Sequence, residues 1–282
     1  YPLHSVTEIA GHSGVGKSTI TFGLAGLLAN QQDIALADLE GFEPKFLRTV
    51  FENSGFDGTL HYLQEEDDEE TLNALTDSIK RSCAVGILDS IGGISPIAEV
   101  EGDLGEANMG KRAKLLAAFA RRNLRVWREA KTSKTLLMIN HLHPLMGTRG
   151  YDTPGGVTVG YLAKIRMRVK RKEEFPDGSY VVEGVIIKNK FGYIKRNFYL
   201  FVLFGYGIHH GLTSFYDSTL YTETVERGKV IKVKGESVGR ISDIVKRAKR
   251  GETDFFEQFK NELSGAVPVG GEEDVSKEEE TE

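Results

Sequence analysis

The sequence predicts an α/β protein: a mixed, mostly parallel central sheet with crossover helices, followed by a small α+β domain. Three observations predict it. Through the first 140 residues, short apolar runs alternate with segments whose apolar residues recur on a helical period, the pattern of parallel strands joined by helices. A glycine-rich segment separates the first run from the first helical segment. From Tyr161 the helical segments give way to successive strand-like runs divided by turn residues, which extends a sheet in antiparallel fashion.

The elements follow in order. Residues 5–10 read as a strand and 18–29 as a helix; 34–39 as a strand and 44–54 as a helix. Residues 70–83 form the next helical pattern, and 84–89 a buried strand. Residues 109–131 form a long helix with a basic face, and 135–140 another buried strand. Strands at 162–172, 180–190 and 196–204 come next, the first two joined by Pro176-Asp177-Gly178 as a hairpin. The glycine-rich stretch 205–212 is the expected exit from a core domain spanning 1–212. Residues 213–264 make the small domain, and 265–282 a disordered acidic tail.

Composition bounds the function classes. The chain has 282 residues, 40% of them hydrophobic, and a formal charge of −5, enough for one large core and a small companion. A single cysteine excludes an intramolecular disulfide framework and a Cys-rich zinc site, and suits a reducing cytosol. No run approaches the roughly 18 apolar residues of a membrane span, and no signal-peptide pattern is visible. Residues 271–282 hold seven acids and one lysine, so the rest of the chain carries +1. Such a tail is either a solubilising end or an internal mimic of a polyanion that competes for a basic surface.

The chemistry concentrates in Gly11-His12-Ser13-Gly14-Val15-Gly16-Lys17-Ser18. It follows a strand and opens a helix, the context of a phosphate-binding loop. Its glycines turn backbone amides toward an anion, and the helix start adds unpaired donors. Lys17 is placed for the β and γ phosphates, Ser18 for Mg²⁺ and Thr19 for the α phosphate. Asp89 ends an apolar strand at the sheet edge where α/β proteins hold ligands, and can hold the same Mg²⁺. Glu40 ends the second strand and is the candidate general base for an attacking water. Asn140 and His141 end the fourth, where a polar side chain can sense the γ phosphate. His141 and His143 lack a nearby third ligand, which disfavours a metal pair.

Residues 142–160 read as a loop of about twenty residues, a length that marks either a functional loop or a linker. His143, Arg149 and the amides of Gly155 and Gly156 are candidates for nucleic-acid phosphates. Lys164, Arg166, Arg168 and Lys170 alternate along one strand face. Arg112, Lys114, Arg121, Arg122 and Arg125 lie on the long helix. Either set serves equally well as a solvated surface.

Taken together, these segments resemble the RecA family of DNA strand-exchange ATPases, over about residues 5–260. The specific motifs are Leu88-Asp89-Ser90-Ile91-Gly92-Gly93-Ile94-Ser95-Pro96, the stretch 98–106, Asn108-Met109-Gly110, Ile187-Lys188-Asn189-Lys190 and Phe204-Gly205-Tyr206-Gly207-Ile208. The resemblance implies a RecA-like P-loop ATPase core that uses ATP and Mg²⁺. It implies filaments of many copies on single-stranded DNA, pairing with double-stranded DNA, no membrane, and a cytoplasmic location in a bacterium or phage host. It makes Glu40 the catalytic glutamate and sets Glu43, Pro44 and Phe46 over the adenine. It makes Lys188 and Lys190 activators reaching a neighbour's ATP, and His141 the switch residue. It places a first DNA loop at Glu101, Gly102, Asp103, Asn108, Met109 and Gly110, with Lys114 beyond. A second loop holds His143, Met146, Arg149, Gly155 and Gly156. Three departures stand out: the family has glutamine where His141 sits, which makes that switch responsive to pH; the second loop keeps little beyond its paired glycines; and the family's N-terminal helix and strand find no match. A ring-forming helicase motor and a nucleotide-gated mediator without strand exchange are the competing readings.

Overall fold

The computed structural model describes residues 5–95, 109–129, 133–144, 151–192 and 197–264. Strand β1 (Ser5–Gly11) leads through the phosphate loop into α1 (Lys17–Ala29). Then come β2 (Ile34–Asp38), α2 (Pro44–Asn53), β3 (Leu60–Leu63), α3 (Asp68–Arg81) and β4 (Val85–Asp89). The long α4 (Met109–Glu129) precedes β5 (Thr135–His141). A small hairpin of β6 (His143–Pro144) and β7 (Tyr151–Asp152) is followed by α5 (Gly156–Leu162). Strands β8 (Ile165–Glu174), β9 (Tyr180–Asn189), β10 (Asn197–Leu203) and β11 (Gly207–Ile208) complete the main unit.

Nine of these strands form one sheet in the order β11-β10-β9-β8-β1-β5-β4-β2-β3. The block from β8 to β3 is parallel, and the β8 to β11 pairings are antiparallel. Strands β1, β2 and β4 are buried along their whole length, as expected of parallel strands covered on both faces. Alternation sorts their side chains. Ala35, Ala37, Leu88, Leu136 and Met138 pack on one face with Leu72, Leu75, Ile79, Leu116 and Phe119. Ile34, Leu36, Ile87 and Leu137 pack on the other with Phe22, Leu47, Val50 and Phe51. Each buried Leu, Ile, Val, Met or Phe among them contributes about 1.5–3 kcal/mol of transfer free energy.

Local chemistry sets the helix ends. The Asp67 side chain accepts a hydrogen bond from the Glu70 amide at 2.7 Å, so α3 begins two residues before the sequence pattern indicates. Asp68, Glu69 and Glu70 fill its first turn and Lys80 and Arg81 its last, matching the helix dipole. Pro44 opens α2, where its missing N–H is no loss.

Two expectations change. Residues 142–160 are not one structureless loop, since β6, β7 and α5 lie within the segment. Helix α5 is rich in glycine and β-branched residues, which have poor helix propensity; it is held by burying Val159 and Leu162 against Leu116. The following strand accordingly starts at Ile165 rather than 162. Strand β3 had no sequence signal because it is short, half-exposed and lies at the sheet edge.

The chain divides into two compact units between Ile208 and His209, four residues before the expected boundary. His209 is the reason: its Nδ1 accepts from the Leu212 amide at 3.1 Å and so starts helix α6 (His210–Tyr221). Strands β12 (Val225–Arg227), β13 (Ile231–Val233) and β14 (Glu236–Gly239) form an antiparallel sheet. Helices α7 (Ile241–Lys249) and α8 (Asp254–Ser264) complete this unit. Its core is aromatic, with the Phe215 and Phe259 rings edge-to-face at 5.2 Å. The expected tail, 265–282, lies outside the described residues. No helix among the described residues is long and apolar enough to cross a membrane.

In α6, Asp217 Oδ1 is buried without a hydrogen-bond partner, and burial pushes the carboxyl up to about 7. The native state therefore holds this proton more tightly than the unfolded chain does. The stabilisation is complete at acid pH and is lost as pH rises through about 7. Asp217→Asn is expected to flatten the fall in melting temperature between pH 5 and pH 8; parallel thermal melts of the two proteins check this.

Candidate functional site

The site is built at the C-terminal edge of four neighbouring parallel strands, the edge where such sheets place ligands. At the end of β1, Gly11 stands opposite His141 of β5 and Val169 of β8. A Cβ at Gly11 would lie 2.6 Å from the Val169 carbonyl oxygen, so only glycine lets the loop leave here. Gly16 has φ +93°, and a Cβ there would meet the Tyr180 hydroxyl at 2.6 Å; the left-handed turn and the tight wall both require glycine. The loop then delivers its amides at the start of α1.

Lys17 is buried, donating from Nζ to the His12 carbonyl at 2.9 Å and lying 3.5 Å from His141 Nδ1. Burial pulls its pKa below the usual lysine range, while the charges of Asp89 and Glu40 oppose that shift. Ser18 Oγ donates to Asp89 Oδ2 at 2.8 Å. Asp89 is wholly buried, and its other oxygen, Oδ1, has no hydrogen-bond partner. Burial first, then Glu40 and Asp38, push its carboxyl up to about 7. A buried carboxylate oxygen left open beside a serine hydroxyl fits Mg²⁺, a hard ion bound by one or two such oxygens plus phosphate and water. Among the described residues no three His, Cys, Asp or Glu side chains could hold a metal by themselves.

Glu40 Oε1 lies 3.0 Å from His141 Nε2, so His141 bridges Glu40 and Lys17. Burial raises the Glu40 pKa, but hydrogen bonding and the charges of His141 and Lys17 outweigh it and hold the carboxyl below its usual value. One cleft is lined by Ser13, Gly14, Gly16, Lys17, Ser18, Thr19, Glu40, Phe46, Asp89 and His141, ten residues expected from the sequence, together with Phe42 and Tyr180. Gly11, His12 and Val15 belong to the same loop without lining it. Glu43 is exposed at the start of α2.

The remaining expected residues are spread out. Lys188 is opposite Arg166, and its Nζ donates to the Gly160 carbonyl at 2.5 Å. It stands eight residues along β9 from Tyr180, about 25 Å at the usual strand rise, and does not line the cleft. Lys190 is exposed just beyond β9. His143 is exposed opposite Asp152, and Lys114 is exposed on α4. Met109 and Gly110 open α4, Gly155 caps α5 with φ +89°, and Gly156 begins that helix. Glu101, Gly102, Asp103, Asn108, Met146 and Arg149 lie outside the described residues.

The family model described as the RecA N-terminal domain matches residues 1–209. The chain belongs to the RecA family of recombinases. Similar proteins include RecA of Streptomyces venezuelae, 25% identical over 298 aligned residues that span 99% of this chain and 75% of the relative. RecA 1 of Myxococcus xanthus is 25% identical, over 94% of this chain and 79% of its own length. RecA of Staphylococcus aureus is 27% identical, over 74% of this chain and 61% of its own length. A crystal structure of the RadB recombinase shares the fold, with a TM-score of 0.53 and 20% identity, over 74% of this chain and 91% of that one.

Within this RecA-family core, several site residues carry no sequence motif. Asp38 sits at the end of β2, where a strand-terminating acid is unremarkable in sequence. Arg171 donates to the Gly14 carbonyl and to Glu174, and its guanidinium stacks 4.2 Å from the centroid of the Tyr180 ring. Both come from the distant β8–β9 hairpin. Arg166, expected on a basic stripe, turns inward instead: it pairs with Glu8, which is 1% exposed. Glu8 also accepts from Asn140 Nδ2 at 2.7 Å, and Asn140 in turn donates to the Pro154 carbonyl and accepts from the His141 amide. This network ties the strand beneath the phosphate loop to the base of the second loop. Arg166→Met is expected to cost about 3–5 kcal/mol by leaving the Glu8 charge buried and unpaired; a urea titration measures it.

Proposed function

We propose that this protein is a DNA-dependent ATPase that assembles as a filament on single-stranded DNA and catalyses homologous pairing and strand exchange in recombination and repair. The observation that carries the reading is the convergence of Lys17, Ser18, Asp89, Glu40 and His141 on one cleft of a RecA-family core.

The loop amides and Lys17 hold the phosphates of ATP, and Phe42 and Phe46 present aromatic surface to the base. When bound, Mg²⁺, held by Ser18 and Asp89, neutralises charge on the phosphates. Glu40, kept ionised, takes a proton from the attacking water. Lys17 stabilises the charge that shifts to the leaving oxygens. His141 sits between Lys17 and Glu40, where it registers whether the γ phosphate is present; through Asn140 and Pro154 that state reaches the second DNA loop. Lys188 and Lys190, remote from this chain's own cleft, serve the cleft of an adjoining copy in the manner of an arginine finger. The site is then complete only where copies meet.

Lys17→Ala is expected to abolish ATP-dependent binding to single-stranded DNA, and Glu40→Gln to slow hydrolysis by about 10²–10⁴-fold while ATP still binds. Turnover at the wild-type rate in Glu40→Gln refutes the base role. Mixing Lys17→Ala with Lys188→Ala protein should recover part of the turnover that each lacks, because one supplies an intact loop and the other an intact trans lysine. Removing residues 271–282 should tighten DNA binding at moderate salt if the tail mimics a polyanion; equal salt titrations with and without it leave a solubilising role. ATPase rates with and without single-stranded DNA, read beside negative-stain images, test the assembly: rings indicate a helicase motor, and ATP binding with neither filaments nor DNA stimulation indicates a mediator.

A further inference from the structure

Three carboxylates, Asp38, Glu40 and Asp89, crowd one edge of the sheet, and hydrogen-bond counting separates their roles. Asp38 and Asp89 are in register on adjacent strands and both wholly buried. Asp89 keeps one oxygen open. Asp38 keeps none. Its Oδ1 accepts from the amides of Glu40 at 3.0 Å and Gly41 at 2.8 Å. Its Oδ2 accepts from the Phe42 amide at 2.7 Å and the Tyr62 hydroxyl at 2.6 Å. Four donors fill the lone-pair sites of an ionised carboxylate, so Asp38 has no capacity left for a metal or a water nucleophile.

Those donors bind one turn in place. Three consecutive amides, 40 to 42, point at a single buried charge, and Gly41 takes the left-handed φ of +80° that lets them converge. The Leu39 amide donates to the Asp89 carbonyl at 2.7 Å, which fixes the turn's entry to the neighbouring strand. The side chains carried by this turn are Glu40, facing His141, and Phe42, lining the cleft. We infer that Asp38 and Tyr62 form a clamp that positions Glu40 for hydrolysis, with Tyr62 reaching in from the edge strand β3 as the one side-chain donor. The inference rests on the proposed ATPase role of Glu40. The phenol of Tyr62 is pushed up to about 12 by burial and by Asp38, so it stays a donor across the working pH range. Neither residue touches the reacting atoms; both act through the backbone of the turn.

Tyr62→Phe removes one donor and keeps the shape of the ring, which avoids the folding defect that loss of Asp38 invites. Three readouts on the full chain decide the matter: steady-state ATP hydrolysis with single-stranded DNA, nucleotide affinity, and amide hydrogen exchange at Glu40, Gly41 and Phe42. The expected result is faster exchange at those amides, kcat lower by about 10- to 100-fold as for a misplaced catalytic group, and a much smaller change in KM for ATP through Phe42. The double variant with Glu40→Gln should be no slower than Glu40→Gln alone, because Tyr62 acts only through Glu40. Unchanged kcat despite faster exchange, or losses that multiply in the double variant, overturns the clamp. Full turnover in Glu40→Gln alone is a separate failure: it removes Glu40 as the base and, with it, any catalytic purpose for the clamp.

Discussion

A buried lysine ammonium beside two carboxylates is the constraint around which the core is organised. Lys17 sits below the surface with Asp89 and Glu40 as its nearest opposing charges. Burial penalises every one of these charges, and each is tolerated only because the others, or a set of hydrogen bonds, stand close by. Balance is left incomplete at one atom, Asp89 Oδ1. An unfilled oxygen beside a withdrawn lysine supports the proposal of a ligand that brings both a divalent cation and a polyanion, as a nucleoside triphosphate does.

The sheet makes that arrangement possible. Four adjacent parallel strands, β1, β5, β4 and β2, release their chains at one edge, and each contributes a different group: a loop of amides, a histidine, an aspartate with one open oxygen and a turn bearing the glutamate. Beneath it, Glu8, Arg166 and Asn140 form a largely buried polar network. Asn140 also donates to the Pro154 carbonyl and accepts from the His141 amide, so this network joins the cleft edge to the segment that resembles a DNA-binding loop. Membership of the RecA family and the fold shared with the RadB recombinase agree with the α/β core.

Legibility in the sequence followed the range of the interactions. Strands β2, β4 and β5 were readable because burial on both faces makes them nearly continuous apolar runs, and β1 because it leads into the phosphate loop. Helix α5 and strand β3 were not, since one has poor intrinsic propensity and the other is half-exposed; both exist through contacts with residues far along the chain. Most of the cleft residues were visible beforehand: the phosphate loop, Glu40, Asp89 and His141 as local patterns, and Phe46 through the family resemblance. Phe42 and Tyr180 were not.

From the sequence alone come the phosphate loop, the alternation of strand and helix, and the candidate carboxylates, because each depends on neighbours within a few residues. What it left open is the part played by Asp38, which no sequence pattern singled out. Asp38 and Asp89 both close apolar strands and look alike on the page. One is saturated by four donors, including Tyr62 from another strand, and the other keeps an oxygen free beside Ser18. The number of donors around a buried charge is a property of the assembled sheet, and only the tertiary structure decides it.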